Sequence, residues 1–111
     1  MAPLTRDFKE MVVARAERDP KFRREMLKSG VELLFTGDPE DAAIGREKLR
    51  TYINATIGFE TLAALVEKSP KSLMRMFSET GNPSLNNLSA VIGELQQAEG
   101  IRLQVVVARA S

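Results

Sequence analysis

Three X-Pro pairs do most to limit what this chain can become: Asp19-Pro20, Asp38-Pro39 and Ser69-Pro70. In each, a residue whose side chain can accept a hydrogen bond from a helix's free amides stands directly before a proline, which suits the first helical position. Each pair predicts a helix start. The first helix is expected from about Thr5 to Arg18, with Phe8, Met11, Val12 and Ala16 on its buried side. The second begins at Pro20, carries Phe22, Met26, Leu27, Val31, Leu33 and Leu34, and stops near Thr36-Gly37. The third follows its cap Asp38, with Glu40 and Asp41 in the first turn, where the helix dipole favours negative charge. Ala43, Ile44, Leu49, Tyr52 and Ile53 give it an apolar side. Gly58 opens a fourth helix, Ser69 caps a fifth, and Ser84 caps a sixth in which Leu85, Leu88, Val91, Ile92 and Leu95 recur at helical spacing until Gly100.

After Gly100 the period changes. Ile101, Leu103, Val105 and Val107 alternate with Arg102, Gln104, Val106 and Ala108, the pattern of one strand. A lone strand cannot satisfy its own backbone groups, and no earlier segment reads as a partner. Pairing with the same strand of a second copy resolves this, so a two-fold homodimer through residues 101–108 is expected, the alternatives being a disordered tail or a strand lying on the helices.

The 111 residues, 43% apolar and 28% charged, suit one domain with a single core. Residues 1–57 supply N-terminal helices, 58–96 a second helical unit and 101–108 the strand. The absence of cysteine and histidine removes thiolate nucleophiles, Cys/His zinc sites and histidine general bases. Asp38, Glu40 and Asp41 lack calcium-loop spacing and are explained as a helix start. No metal, cofactor or catalytic residue is expected, and the chain reads as a non-enzyme. No apolar run approaches the ~18 residues of a membrane span. Asp7 and Glu10 near the start do not fit a secretory leader, so a cytoplasmic location is expected. A formal net charge of +1 gives no global basic field, leaving room only for a local basic stripe. Lys21, Arg23, Arg24 and Lys28 interleave with Glu17, Asp19, Glu25 and Glu32, a pattern of local surface ion pairs.

Residues 58–88 carry the functional signal. Leu62, Ala63, Leu65 and Val66 give the fourth helix a packing side, while Leu73, Met76 and Phe77 point the fifth toward the core. This is the apolar pattern of a helix-turn-helix, whose second helix lies in the major groove. The opposite side of that helix presents Ser69, Lys71, Ser72 and Arg75. Lys and Arg can donate to guanine O6 and N7 or to phosphate, and Ser serves either. Asn82, Ser84 and Asn87, around the start of the sixth helix, suit phosphate contacts that set register.

Leu62-Ala63, Ser69, Leu73, Met76 and Gly81-Asn82-Pro83-Ser84-Leu85 resemble the Cro and lambda-repressor-like helix-turn-helix domains over about residues 58–96. With Gly37-Asp38-Pro39, Gly58-Phe59-Glu60-Thr61-Leu62-Ala63 and Lys71-Ser72-Leu73-Met74-Arg75-Met76 added, the chain is similar to the probable addiction-module antidote proteins. That resemblance implies a mostly all-α, lambda-repressor-like bundle, here with extra N-terminal helices and one C-terminal strand. It also implies an antitoxin-like autorepressor that binds double-stranded DNA as a dimer, beside a small RelE-like toxin. Two positions depart from the pattern: Glu67 stands where the turn usually holds glycine, and Lys68 where an apolar residue follows. Either the left-handed backbone is kept, at a cost on the order of 1 kcal/mol, or the turn is rebuilt with the fourth helix running on toward Ser69. The alternative function is a protein-interaction module that binds a toxin partner with weak or no DNA binding.

Overall fold

The proline and cap signals appear as helix boundaries in a computed structural model, which describes residues 6–110. Six helices follow one another: α1 (Arg6–Arg18), α2 (Pro20–Leu34), α3 (Pro39–Ala55), α4 (Phe59–Leu65), α5 (Pro70–Met76) and α6 (Leu85–Glu99). Asp19 accepts from the Phe22 amide at 3.1 Å and Asp38 from the Glu40 amide at 2.9 Å, and in both cases proline opens the helix. Ser69 and Ser84 cap α5 and α6 in the same way, accepting from the amides of Ser72 and Asn87. Each cap satisfies one amide that has no partner inside its helix. Gly100 ends α6 in the left-handed region at φ +72°, where glycine meets no side-chain penalty.

The core gathers Leu27 of α2; Leu49, Tyr52 and Ile53 of α3; Phe59, Leu62 and Ala63 of α4; Leu73, Met76 and Phe77; and Leu88, Val91 and Leu95 of α6. Phe59 and Phe77 meet as tilted rings with centroids 6.5 Å apart, joining the start of α4 to the end of α5. The most extensive helix pairing is α2 against α3. It is close because two glycines face one another there: a Cβ on Gly45 would lie 2.7 Å from the Gly30 carbonyl oxygen, and one on Gly30 2.9 Å from Leu49 Cγ. The radius of gyration, 13.8 Å, is near the ~13 Å of a folded chain this long.

Several expected core positions are not covered. Met11 and Leu85 are 69% and 72% exposed, and Phe8, Ile44 and Leu65 also stand at the surface. α1 touches its neighbours over a narrow strip around buried Ala16 and half-buried Val12 and Val13. Leu85 occupies the first position of α6, ahead of the turn at which that helix meets the core.

The basic residues of α2 also depart from the expected local pairing. Arg23 and Arg24 both reach Glu99 at the end of α6, with Nε to carboxylate distances of 2.9 and 3.2 Å. The strand expected at residues 101–108 does not form within one chain: among the described residues no strand is present to pair with it. Ile101 and Leu103 instead lie against the core, and the Leu103 amide donates to Gln96 Oε1 at 2.7 Å. That side chain takes the place of a ladder partner. Val105, Val106 and Val107 are exposed.

Candidate nucleic-acid interface

The turn between α4 and α5 decides how α5 is aimed. α4 ends at Leu65 and does not run on toward Ser69. Glu67 adopts φ +55°, the only left-handed residue other than glycine among those described. The Glu67 amide donates to the Ala64 carbonyl at 3.4 Å and the Lys68 amide to the Ala63 carbonyl at 2.9 Å, the paired bonds of a Schellman ending with Glu67 in the glycine position. Of the two arrangements the sequence left open, the left-handed backbone is the one adopted. Lys68 is half-buried, consistent with a stem laid on apolar surface and a head reaching water.

α5 then buries Leu73 and Met76, with Phe77 just beyond, and turns Lys71, Ser72 and Arg75 to solvent. Among the described residues neither Lys71 nor Arg75 belongs to an ion pair within 4.0 Å. Ser69 Oγ accepts from the Ser72 amide at 3.1 Å and donates to Ser72 Oγ at 2.9 Å, so these two hydroxyls hold each other at the start of the helix. Met74 is also partly exposed beside them. The exposed side of α5 thus offers two cations, a hydroxyl pair and a thioether.

The connection from α5 to α6 brings Asn82 and Ser84 to the surface, with Asn87 half-buried in the first turn of α6. Ser84 Oγ accepts from the Asn87 amide at 3.1 Å and retains its own proton to donate. The loop is tightly built. The Ser78 amide and hydroxyl both donate to the Arg75 carbonyl, and the Gly81 amide donates to the Ser78 carbonyl at 3.1 Å. A Cβ on Gly81 would lie 2.3 Å from the Met76 carbonyl oxygen, so only glycine fits against the last turn of α5.

One residue that sequence reasoning passed over touches this loop. Arg46, on α3, donates from Nε to the Ser78 carbonyl at 2.9 Å and from Nη2 to the Glu79 carbonyl at 2.7 Å. Its partners are backbone carbonyls more than thirty positions away, which no local pattern could announce. The acidic residues Glu60, Glu67 and Glu79 are exposed around α4 and α5 and offset the cations there.

Among the described residues no cluster of acidic side chains could hold a metal ion, and no helix is long and apolar enough to cross a membrane. No family model, curated protein or solved structure matches the chain.

Proposed function

We propose that α4 and α5 form a helix-turn-helix and that the protein is a sequence-specific, DNA-binding transcriptional regulator acting as a homodimer. The observation that carries this reading is the two-sided character of α5: Leu73 and Met76 buried, Lys71, Ser72 and Arg75 exposed on a helix aimed by the left-handed turn at Glu67. In a helix-turn-helix the second helix, divided in this way, enters the major groove with its amino-terminal side chains toward base edges. Lys71, Ser72 and Arg75 read bases, with Ser69 holding Ser72 in place, and Asn82, Ser84 and Asn87 contact phosphates. The balanced charge around α5 makes one copy a weak binder. Two copies, paired through residues 101–108, add phosphate contacts and raise effective concentration. An antitoxin-like autorepressor working in the cytoplasm fits this arrangement.

The test is fluorescence anisotropy with a duplex selected by the parent protein from a randomised pool, titrated over a range of salt. Arg75→Ala should weaken binding by roughly 1–3 kcal/mol and relax base preference at one position of each half-site. Equal affinity of parent and variant at every salt concentration would remove Arg75 from the interface.

A second reading is supported by the exposed Phe8, Met11, Phe35 and Ile44, which lie on or beside α1 to α3 and not on α5. Apolar side chains left at the surface suit a protein partner, here a small toxin capped by a module with little DNA binding. Co-expression with the adjacent reading frame, followed by co-purification, separates the two.

A further inference from the structure

Resting on the DNA-binding reading above, we infer that Arg46 is a positioning residue, which fixes the α5–α6 loop against α3 and so sets where Asn82 and Ser84 stand relative to the exposed side of α5. The carbonyls of Ser78 and Glu79 lie just past the end of α5, where backbone oxygens lack helical partners and the helix dipole is negative. A guanidinium fork answers both needs at once, donating to two successive carbonyls from two different nitrogens.

The other side of the loop is held equally closely. Ser78 turns back onto the Arg75 carbonyl, Gly81 onto the Ser78 carbonyl, and the absence of a Cβ at Gly81 lets the chain lie on the Met76 and Arg75 carbonyls. The segment from Ser78 to Gly81 is therefore clamped between the last turn of α5 and one side chain of α3. Asn82 follows directly, and Ser84 two residues later caps α6. α5 and α6 each pack on α4, and Arg46 ties the link between them to α3.

A lysine cannot reproduce this contact, because one ammonium on a flexible stem does not span two carbonyls in a fixed plane. A direct phosphate contact, in contrast, would survive Arg46→Lys. The two roles also differ in salt dependence. A lost phosphate contact reduces the slope of log K against log salt by about 0.9, whereas a displaced loop lowers affinity at every salt concentration with the slope kept.

The experiment compares the full-length parent, Arg46→Lys and Arg46→Met. It measures hydrogen exchange at the Ser78 and Gly81 amides, thermal unfolding, and anisotropy against the duplex selected by the parent between about 50 and 200 mM salt. The expected result is faster exchange at both amides and roughly tenfold weaker binding in both variants, with an unchanged salt slope and a cooperative melt retained. Arg46→Lys binding like the parent, or a slope reduced in Arg46→Met with unaltered exchange, would instead make Arg46 a phosphate contact and overturn the inference. Unaltered exchange and affinity in both variants would overturn it as well. A parent that selects no duplex defeats the DNA-binding reading itself, and the role of Arg46 falls with it; a parent that binds beside variants that bind equally defeats the role of Arg46 alone.

Discussion

Arg23 and Glu99 are 76 positions apart in the chain and meet with Arg23 Nε 2.9 Å from one carboxylate oxygen and 3.0 Å from the other. Arg24 Nε adds a contact at 3.2 Å and the Tyr52 hydroxyl donates at 2.5 Å, so the Glu99 side chain, only 2% exposed, binds α2 and α3 to the end of α6. Burial pushes the Glu99 carboxyl upward, but the hydrogen bonds from Arg23, Tyr52 and Arg24 outweigh it and hold the pKa below its ordinary 4.5.

Because its folded pKa is depressed, Glu99 contributes stability that is present above pH 4.5 and lost as pH falls through the folded value. Tyr52 acts at the other end. Burial first, and then the hydrogen bond to Glu99, raise its phenol above the ordinary 10.0, so its contribution holds below that pH and is lost at higher pH. Glu99→Gln should cost about 2 kcal/mol near neutrality. Urea midpoints of parent and variant, measured down a pH series, should converge in acid; a gap that stays constant would mean the carboxylate charge is not what matters.

Glu67 holds a backbone conformation that L side chains adopt at a cost, at φ +55°. Glu67→Gly should therefore raise stability by roughly 0.5–1 kcal/mol, less than the full strain because glycine also loosens the unfolded chain. A lower melting temperature in the variant would show that the glutamate side chain makes a compensating contribution.

Two glycine substitutions should have opposite signs. Gly45→Ala places a methyl 2.7 Å from the Gly30 carbonyl oxygen, a backbone atom, and should destabilise by about 1–3 kcal/mol through forced separation of α2 and α3. Gly93, exposed in the middle of α6, has nothing within 4 Å of an added Cβ. Gly93→Ala should stabilise by about 1 kcal/mol. Urea unfolding of the pair checks both, and a loss in Gly93→Ala would point to a partner packed on that part of α6.

Dimerisation through the C-terminal segment is best tested by a truncation that spares its anchor. Ile101 and Leu103 pack on the core, and Leu103 is bonded to Gln96. A chain ending at Gln104 should keep its fold yet scatter light as a monomer where the parent scatters as a dimer. A parent and a truncated chain of the same oligomeric state would remove residues 105–111 from any such interface.

What could be read from sequence here was whatever is decided within a few residues. Asp19, Asp38, Ser69 and Ser84 each bond an amide two or three positions away, so a local pattern suffices to find them. The buried sides of α5 and α6 were legible too, because Leu73 and Met76, and Leu88, Val91 and Leu95, recur at the helical period. Periodicity says which residues share a side but not how far a neighbour covers it, and so Phe8, Met11, Ile44, Leu65 and Leu85 were overassigned to the core. Nothing local singled out Glu99, since its partners lie in α2 and α3. Arg46 was hidden for the same reason: its acceptors are main-chain oxygens, which every residue possesses.

Val105, Val106 and Val107 stand side by side with almost all of their surface in water. A short run of high β-propensity and no charge is the raw material of cross-β stacking. Arg102 and Arg109 bracket it. In an in-register stack their guanidiniums would repeat at the spacing of about 4.8 Å between chains, and the repulsion would recur with every molecule added. An assembly of two meets that repulsion once. Were the tail to pair with a second copy, the flanking arginines would act as a brake on further growth, because each added chain would repeat the repulsion.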